Sequence, residues 1–121
     1  MFGELGHVRQ VARDEFRRIF RDGTLELMVW YKPDKSIYGF QLCYGKMGRE
    51  KALRWLDDRD FHHYRVDTGE ESAVANRSPI LVEDGQFELE QVLPDFQASS
   101  AGLPLDVKAF VSEKLQQYAV R

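Results

Sequence analysis

The chain has 121 residues, of which 43% are hydrophobic and 31% charged, and its formal net charge is −3 at pH 7. This balance is typical of a folded chain and argues against disorder, and the length fits a single domain spanning residues 1–121. The acidic balance disfavours nucleic-acid binding, because the arginine-rich stretch from Arg9 to Arg21 is interrupted by Asp14 and Glu15.

The sequence also indicates where the protein resides. Cys43 is the only cysteine, so a disulfide within the chain is impossible, which favours a reducing compartment. The N-terminus has no basic start followed by an apolar stretch, and no apolar run approaches the length of a membrane span. We therefore expect a soluble, cytoplasmic protein that does not enter a membrane.

The first segments predict a β-hairpin. The pair Asp22–Gly23 accepts the positive φ that a tight hairpin turn needs. It separates a strand that begins at about Glu15 from residues 24–32, where side chains of alternating character point to opposite faces. Residues 7–14 fit either a strand or an apolar helical stripe, and their conformation stays open.

Three further segments predict strands, namely residues 37–44, 51–56 and 61–67. Residues 51–56 are also short enough to be helical. Gly39, inside the first of them, predicts a bulge or the close approach of another backbone. Short strands joined by tight turns are typical of an antiparallel meander. The polar stretch 68–78 predicts a surface loop.

The second half of the chain predicts helices. Residues 79–82 precede them and predict either an edge strand or a segment that plugs the core. Helical spacing starts near Leu89, but Pro94 should break or restart that helix. Pro104 suits the first turn of a last helix. The apolar stripe of that helix consists of Val107, Phe110, Val111, Leu115 and Tyr118. We therefore expect an α+β fold, in which a curved antiparallel sheet (a meander of about four to six strands) precedes two C-terminal helices packed on one face.

The strongest candidate for chemistry lies around a pair of adjacent histidines. Strand alternation puts His62 and His63 on opposite faces, so they cannot share a metal ion, and we expect no metal or other cofactor. His63, Arg65 and Asp67 share a side. His63 suits proton transfer, Arg65 suits an anionic substrate, and Asp67 or Glu70 suits orienting the imidazole. The alternative is a solvated polar stripe, with His62 at the margin of the core.

A second candidate is an anion-binding turn. Lys46 and Arg49 flank glycines whose backbone N–H groups can face an anion. The stretch also resembles a Walker A loop superficially, but five residues separate its glycines and Met47 replaces the required Ser or Thr. The alternative interpretation is a solvated turn. Cys43 fits a small buried hydrophobe better than a nucleophile.

A third candidate is an aromatic surface for a ligand or an interface. Trp30, Tyr38, Tyr44 and Trp55 fall on the predicted strands, and residues 24–32 carry bulky side chains on both faces. Something must then cover the face opposite the helices, and exposed aromatic patches mark ligand grooves or interfaces. The alternative is one extended core in a bent sheet.

These patterns favour a small soluble binding or interaction module, with a second copy of the chain (a homo-oligomer) or a small polar ligand as its partner. The alternative function is a small enzyme that uses His63, Arg65, Asp67 and Glu70 on a polar anionic substrate. The decisive structural question is which face of each strand is buried.

Overall fold

The computed structural model describes residues 1–6, 16–23, 25–45, 50–67, 80–83 and 87–119. The strands are β1 Gly3–Glu4, β2 Phe16–Asp22, β3 Leu25–Tyr31, β4 Ile37–Tyr44, β5 Lys51–Leu56, β6 Asp60–Asp67 and β7 Ile80–Glu83. The helices are α1 Leu89–Ser99 and α2 Leu105–Ala119, joined by a 3₁₀ turn, Ser100–Gly102. None of the helices within these ranges is long and apolar enough to cross a membrane.

The described strands form one antiparallel sheet in which each strand pairs with the next along the chain. The strand order is therefore β1 to β7, and every strand except the two-residue β1 has four or more residues. Two helices follow, which confirms the predicted α+β class and its antiparallel meander. Residues 80–83 form a strand at the edge of this sheet, as one of the two interpretations of that segment predicted.

The first hairpin forms where the sequence predicted it. Asp22 pairs with Leu25, and Gly23 between them has a φ of 55°, which glycine adopts without strain. The predictions for residues 7–14 and for the loop 68–78 lie outside the described residues.

The pairing of β3 with β4 contains a β-bulge. Trp30 pairs with Gly39 but Tyr31 pairs with Ile37, so Tyr38 is the extra residue of β4. A Cβ atom added to Gly39 would overlap the carbonyl oxygen of Trp55 on β5. Both the bulge and the close approach predicted at this glycine are therefore confirmed.

One face of the sheet forms the hydrophobic core with the two helices. Its central positions are fully buried, as at Leu27, Leu42 and Leu53, which pair across β3, β4 and β5. The predicted stripe of α2 is confirmed, because Val107, Val111 and Leu115 are buried and Phe110 and Tyr118 pack against the core. The ring of Phe110 lies 6.5 Å from that of Phe40 and 5.5 Å from that of Trp55.

The prediction that Pro94 breaks or restarts a helix is wrong. Helix α1 continues through Pro94, with Val92 and Phe96 buried on either side of it. Proline lacks an N–H, so the carbonyl of Glu90 loses its usual partner four residues on. Glu90 is exposed, so water can bind that carbonyl, and burial of the two apolar side chains offsets the lost bond.

Candidate functional site

His63 lies in the core and not on a solvated stripe. In the sheet it pairs with Leu53, whose other neighbour is Leu42, and it is 8% exposed. His62 points to the opposite face and is half-buried. The predicted separation of the two histidines is therefore confirmed, whereas the expectation of an outer polar stripe is wrong for His63. Phe61, two residues before, packs against Tyr118 of α2 on this same face.

His63 forms a short hydrogen bond with Tyr44. The Tyr44 hydroxyl lies 2.5 Å from Nε2 of His63, and Tyr44 is 7% exposed. Burial raises the pKa of Tyr44 to about 12, although a backbone hydrogen bond at Glu88 lowers it in part. Tyr44 therefore keeps its proton near neutral pH. In the neutral imidazole, a proton donated by Tyr44 to Nε2 selects the tautomer that carries hydrogen on Nδ1.

The same contacts fix the chain that leads into α1. The ring of Phe87 lies 5.6 Å from that of Tyr44 and 6.3 Å from that of His63. The backbone N–H of Phe87 donates to the Tyr118 hydroxyl over 3.0 Å. Lys51 forms an ion pair with Glu88 at 2.6 Å. The Tyr44–His63 pair thus joins the sheet to the start of one helix and the end of the other.

The structure describes only part of the predicted catalytic group. Arg65 is exposed on the same face as His63, two residues further along β6. The side chain of Asp67 and all of Glu70 lie outside the described residues. The anion-binding turn with Lys46 and Arg49 also lies outside them. A catalytic role for His63, Arg65, Asp67 and Glu70 stays a prediction.

The burial of His63 predicts a large difference in reactivity between the adjacent histidines. We expect diethyl pyrocarbonate to modify half-exposed His62 at least about tenfold faster than buried His63 in the folded protein, because the reagent must reach a ring nitrogen. Peptide mapping by mass spectrometry after brief treatment at pH 7 measures both rates. Treatment in 8 M urea is the control, and there the two rates should converge. Equal rates in the folded protein would contradict the burial of His63.

The opposite face of the sheet carries a second candidate site. We call it the second face, and its described residues on β2 to β6 are Arg17, Ile19, Arg21, Glu26, Met28, Trp30, Gly39, Gln41, Cys43, Ala52, Arg54, Leu56, Asp60, His62 and Tyr64. They alternate with the core positions, so the two-residue period of each strand places them away from the helices. Trp30, Arg54 and Tyr64 are half-buried there.

Arg54 is held between two aromatic rings of the second face. Its Cζ atom lies 5.5 Å from the ring centre of Trp30 on β3 and 5.3 Å from that of Tyr64 on β6. Gln41 on β4 fixes the guanidinium from one edge, because its Oε1 accepts from Nε at 2.9 Å and from Nη2 at 2.6 Å. The amide of Gln41 is itself oriented by donating to Sγ of Cys43 over 3.4 Å.

The charge of Arg54 is not matched by a carboxylate among the described residues. The ion pairs seen in this part of the chain join other groups, such as Arg21 and Glu26 at 2.6 Å. The partners of Arg54 are instead a neutral amide and two rings. A half-buried cation usually has a carboxylate or another anion beside it, so this site has the chemistry to attract one.

The four aromatic residues predicted to form one ligand or interface surface lie in different places. Trp30 is on the second face, whereas Tyr44 and Trp55 lie on the core face. Tyr38 is at the bulge, where its hydroxyl donates to Oδ1 of Asp58 over 2.7 Å. Of this group, Trp30 alone joins the stack around Arg54, and strand alternation could have shown that Trp55 points the other way.

Comparisons with protein-family models, with curated proteins and with solved structures found no match to this chain. Within the described ranges, no group of three or more His, Cys, Asp or Glu side chains is arranged to hold a metal ion. The class that fold and site define is thus an α+β protein with two candidate sites, one on each face of the sheet.

Proposed function

We propose that the protein is a small interaction module that recognises an acidic segment of a partner protein through its second face. The observation that carries the proposal is Arg54, held between Trp30 and Tyr64 without a carboxylate partner among the described residues. This site combines a preorganised positive charge with flat apolar surfaces on strands rather than on mobile loops. Such an arrangement loses little conformational entropy when a ligand binds.

The residue types of this stack support a role in recognition. Tryptophan, tyrosine and arginine are the side chains that most often dominate the energy of protein interfaces. The desolvation of this half-buried arginine is offset by an amide and two rings and not by an ion pair among the described residues. The contacts of Arg54 therefore fit a group that completes its interactions with a partner.

The charges on the second face support an acidic partner. Its described residues on β2 to β6 include three arginines and two carboxylates, Glu26 and Asp60, and Glu26 already pairs with Arg21. Arginines thus outnumber carboxylates on these five strands, although Glu83 on the neighbouring strand β7 pairs with Tyr64 and the whole chain has a net charge of −3. Complementary charges speed association and select among partners.

A titration with hexaglutamate tests this proposal. We expect the indole N–H signal of Trp30 in a ¹H–¹⁵N spectrum to shift as the peptide binds, because the Trp30 ring contacts Arg54. The signal of Trp55, on the opposite face, serves as the internal reference. Hexalysine should leave both signals in place. In 1 M NaCl, where the Debye length is about 3 Å, the response to hexaglutamate should weaken strongly.

Charge variants show whether the response depends on Arg54. We expect Arg54→Gln to reduce the affinity for hexaglutamate at least tenfold, which corresponds to the loss of one charge-assisted contact. Lys108→Gln is the matched control, because it removes the same charge from an exposed position on α2. Equal losses in both variants, or an unchanged Trp30 signal in the native protein, would contradict the proposal.

Self-association is an alternative occupant of the same face. Light scattering after size-exclusion chromatography measures it directly. An oligomer that dissociates in Trp30→Ala but not in Leu105→Ala would identify a second copy as the partner instead of an acidic segment of another protein. Leu105 is a suitable control because it is an exposed apolar residue on α2.

A second candidate function is acid–base catalysis by His63. The specific observation in its favour is the 2.5 Å contact between the Tyr44 hydroxyl and Nε2 of His63, which orients the imidazole. Catalysis also requires a substrate to reach that ring. Rapid modification of His63 by diethyl pyrocarbonate in the folded protein would support this function, and slow modification would count against it.

A further inference from the structure

We infer that Arg54 binds a single carboxylate group end-on, in the plane of its guanidinium and at the edge that faces away from Gln41. The inference rests on the proposed function and names the chemical group that the second face recognises. That group has two sources, namely an Asp or Glu side chain of a partner protein and a free carboxylic acid.

The contacts of Arg54 determine which edge is available. A guanidinium has five N–H groups, and Oε1 of Gln41 accepts one from Nε and one from Nη2. Three N–H groups remain, two on Nη1 and one on Nη2. One from each nitrogen lies along the end edge, where the two are parallel and match the two oxygens of a carboxylate.

The donors at the end edge match the two oxygens of a carboxylate. Trp30 and Tyr64 come from strands on either side of the β4–β5 pair, and each ring has Cζ of Arg54 over it at 5.5 and 5.3 Å, respectively. Both rings lie close to the guanidinium, and Arg54 is half-buried. Both oxygens of a carboxylate can accept from the two donors of the end edge, whereas a phosphate has further charged oxygens that need other donors.

Charge also favours a carboxylate. One carboxylate carries a single negative charge and is neutralised by one guanidinium. A phosphate group carries a second negative charge above its second pKa, which is about 6 for a phosphate ester, and that charge needs a further cation. Of the other two arginines of the second face, Arg21 already pairs with Glu26, and Arg17 lies on β2 opposite Trp30. The one donor pair at the end of Arg54 thus matches one carboxylate.

The variant Gln41→Glu tests the inference most sharply. It is nearly isosteric, and its carboxylate would take the place of Oε1 and pair with Nε and Nη2 of Arg54. The guanidinium would keep its position but lose its uncompensated charge. We expect the affinity for hexaglutamate, read from the Trp30 indole signal, to fall at least tenfold. Arg54→Lys should have a similar effect, because an ammonium keeps the charge but lacks the planar pair of donors.

Small anions separate the chemical classes. Glutarate and acetate are expected to shift the Trp30 signal and to compete with hexaglutamate, whereas inorganic phosphate at the same ionic strength should do neither. Tighter binding of glutarate than of hexaglutamate would identify a free carboxylic acid as the ligand. Tighter binding of hexaglutamate would identify an Asp or Glu side chain of a partner protein. Phosphate binding as tight as glutarate binding would overturn the inference.

The outcomes also distinguish this inference from the proposed function. If hexaglutamate binds Arg54→Lys as tightly as the native protein but Arg54→Gln at least tenfold more weakly, the end-on carboxylate contact is wrong, whereas recognition of an acidic segment through the charge at this position stands. If hexaglutamate does not bind the native protein, both proposals fail. Circular dichroism checks that each variant folds. If Gln41→Glu does not fold, the affinity of Arg54→Lys for hexaglutamate tests the end-on contact instead.

Discussion

Replacing Gly39 by alanine is expected to destabilise the protein by about 3 kcal/mol or more, the upper end of the range for overpacking. The added Cβ would overlap the backbone oxygen of Trp55 and crowd Leu56 on the neighbouring strand β5. A backbone group within a paired strand cannot move aside as a flexible side chain can. The pairing of β4 with β5 would have to open, and with it the core face that Phe40 and Trp55 form.

Gly3 provides a matched control for this prediction. It also lies in a strand of the same sheet, but nothing lies within 4 Å of an added Cβ atom. Gly3→Ala is therefore expected to be neutral, or to stabilise the protein by about 0.5 kcal/mol, because alanine has less conformational entropy in the unfolded chain. Urea unfolding of both variants measures the difference through the midpoint. A loss below about 1 kcal/mol in Gly39→Ala would contradict the close approach at this strand.

Gly39 also shows which features can be predicted from sequence. A glycine inside an otherwise apolar strand is unusual, and it commonly marks either a bulge or the close approach of another backbone. The strands themselves were predictable for a similar reason, because their two-residue period and their turn residues lie within short segments. Local patterns thus suffice for strands β2 to β6 and for α2, whereas β1 was not predicted and α1 continues through Pro94.

The position of His63 could not be predicted in this way. Alternation shows that His63 shares a face with Phe61 and Arg65, but it does not show which face is buried. That depends on Phe87 and on Tyr44, which are distant in the sequence and contact His63 only after the sheet and helices have packed. The polarity of His63 and Arg65 favoured a solvated stripe. The hydrogen bond with Tyr44 instead compensates the imidazole for the water that it loses on burial.

The contacts of Arg54 were missed for a similar reason. They involve Trp30, Gln41 and Tyr64, which come from three other strands. In the sequence, Arg54 is one charged residue in a short strand, and nothing beside it indicates two rings and an amide. The one local signal was its alternation with Leu53 and Trp55, which already implied that Arg54 and Trp55 lie on opposite faces.

Tyr44→Phe is expected to destabilise the protein by about 1–3 kcal/mol at pH 7, the cost of losing a partner of buried polar groups. His63 would lose its 2.5 Å hydrogen bond at Nε2, and the backbone at Glu88 would lose its bond to the hydroxyl. Tyr38→Phe is the matched control, since it removes a hydroxyl whose bond to Asp58 is exposed. That variant should change the free energy of unfolding by about 0.5 kcal/mol or less. Similar losses in both variants would contradict a special role for the Tyr44–His63 contact.

Alkaline pH is expected to reduce the difference in stability between the native protein and Tyr44→Phe. Burial raises the pKa of Tyr44 to about 12 in the folded protein, from an ordinary value of 10.0. Between these values the unfolded chain releases the phenolic proton and the folded chain retains it, so rising pH favours unfolding. For one such group, the free energy of unfolding falls by up to about 1.4 kcal/mol per pH unit. Phenylalanine has no proton to release and cannot contribute this change. Burial also raises the pKa of Tyr31, but Tyr31 is present in both proteins, and its effect cancels in the difference. Urea unfolding of both proteins at several pH values between 8 and 12 measures this difference in the free energy of unfolding. A difference that stays constant across the range would show that burial does not hold the Tyr44 hydroxyl in its protonated form.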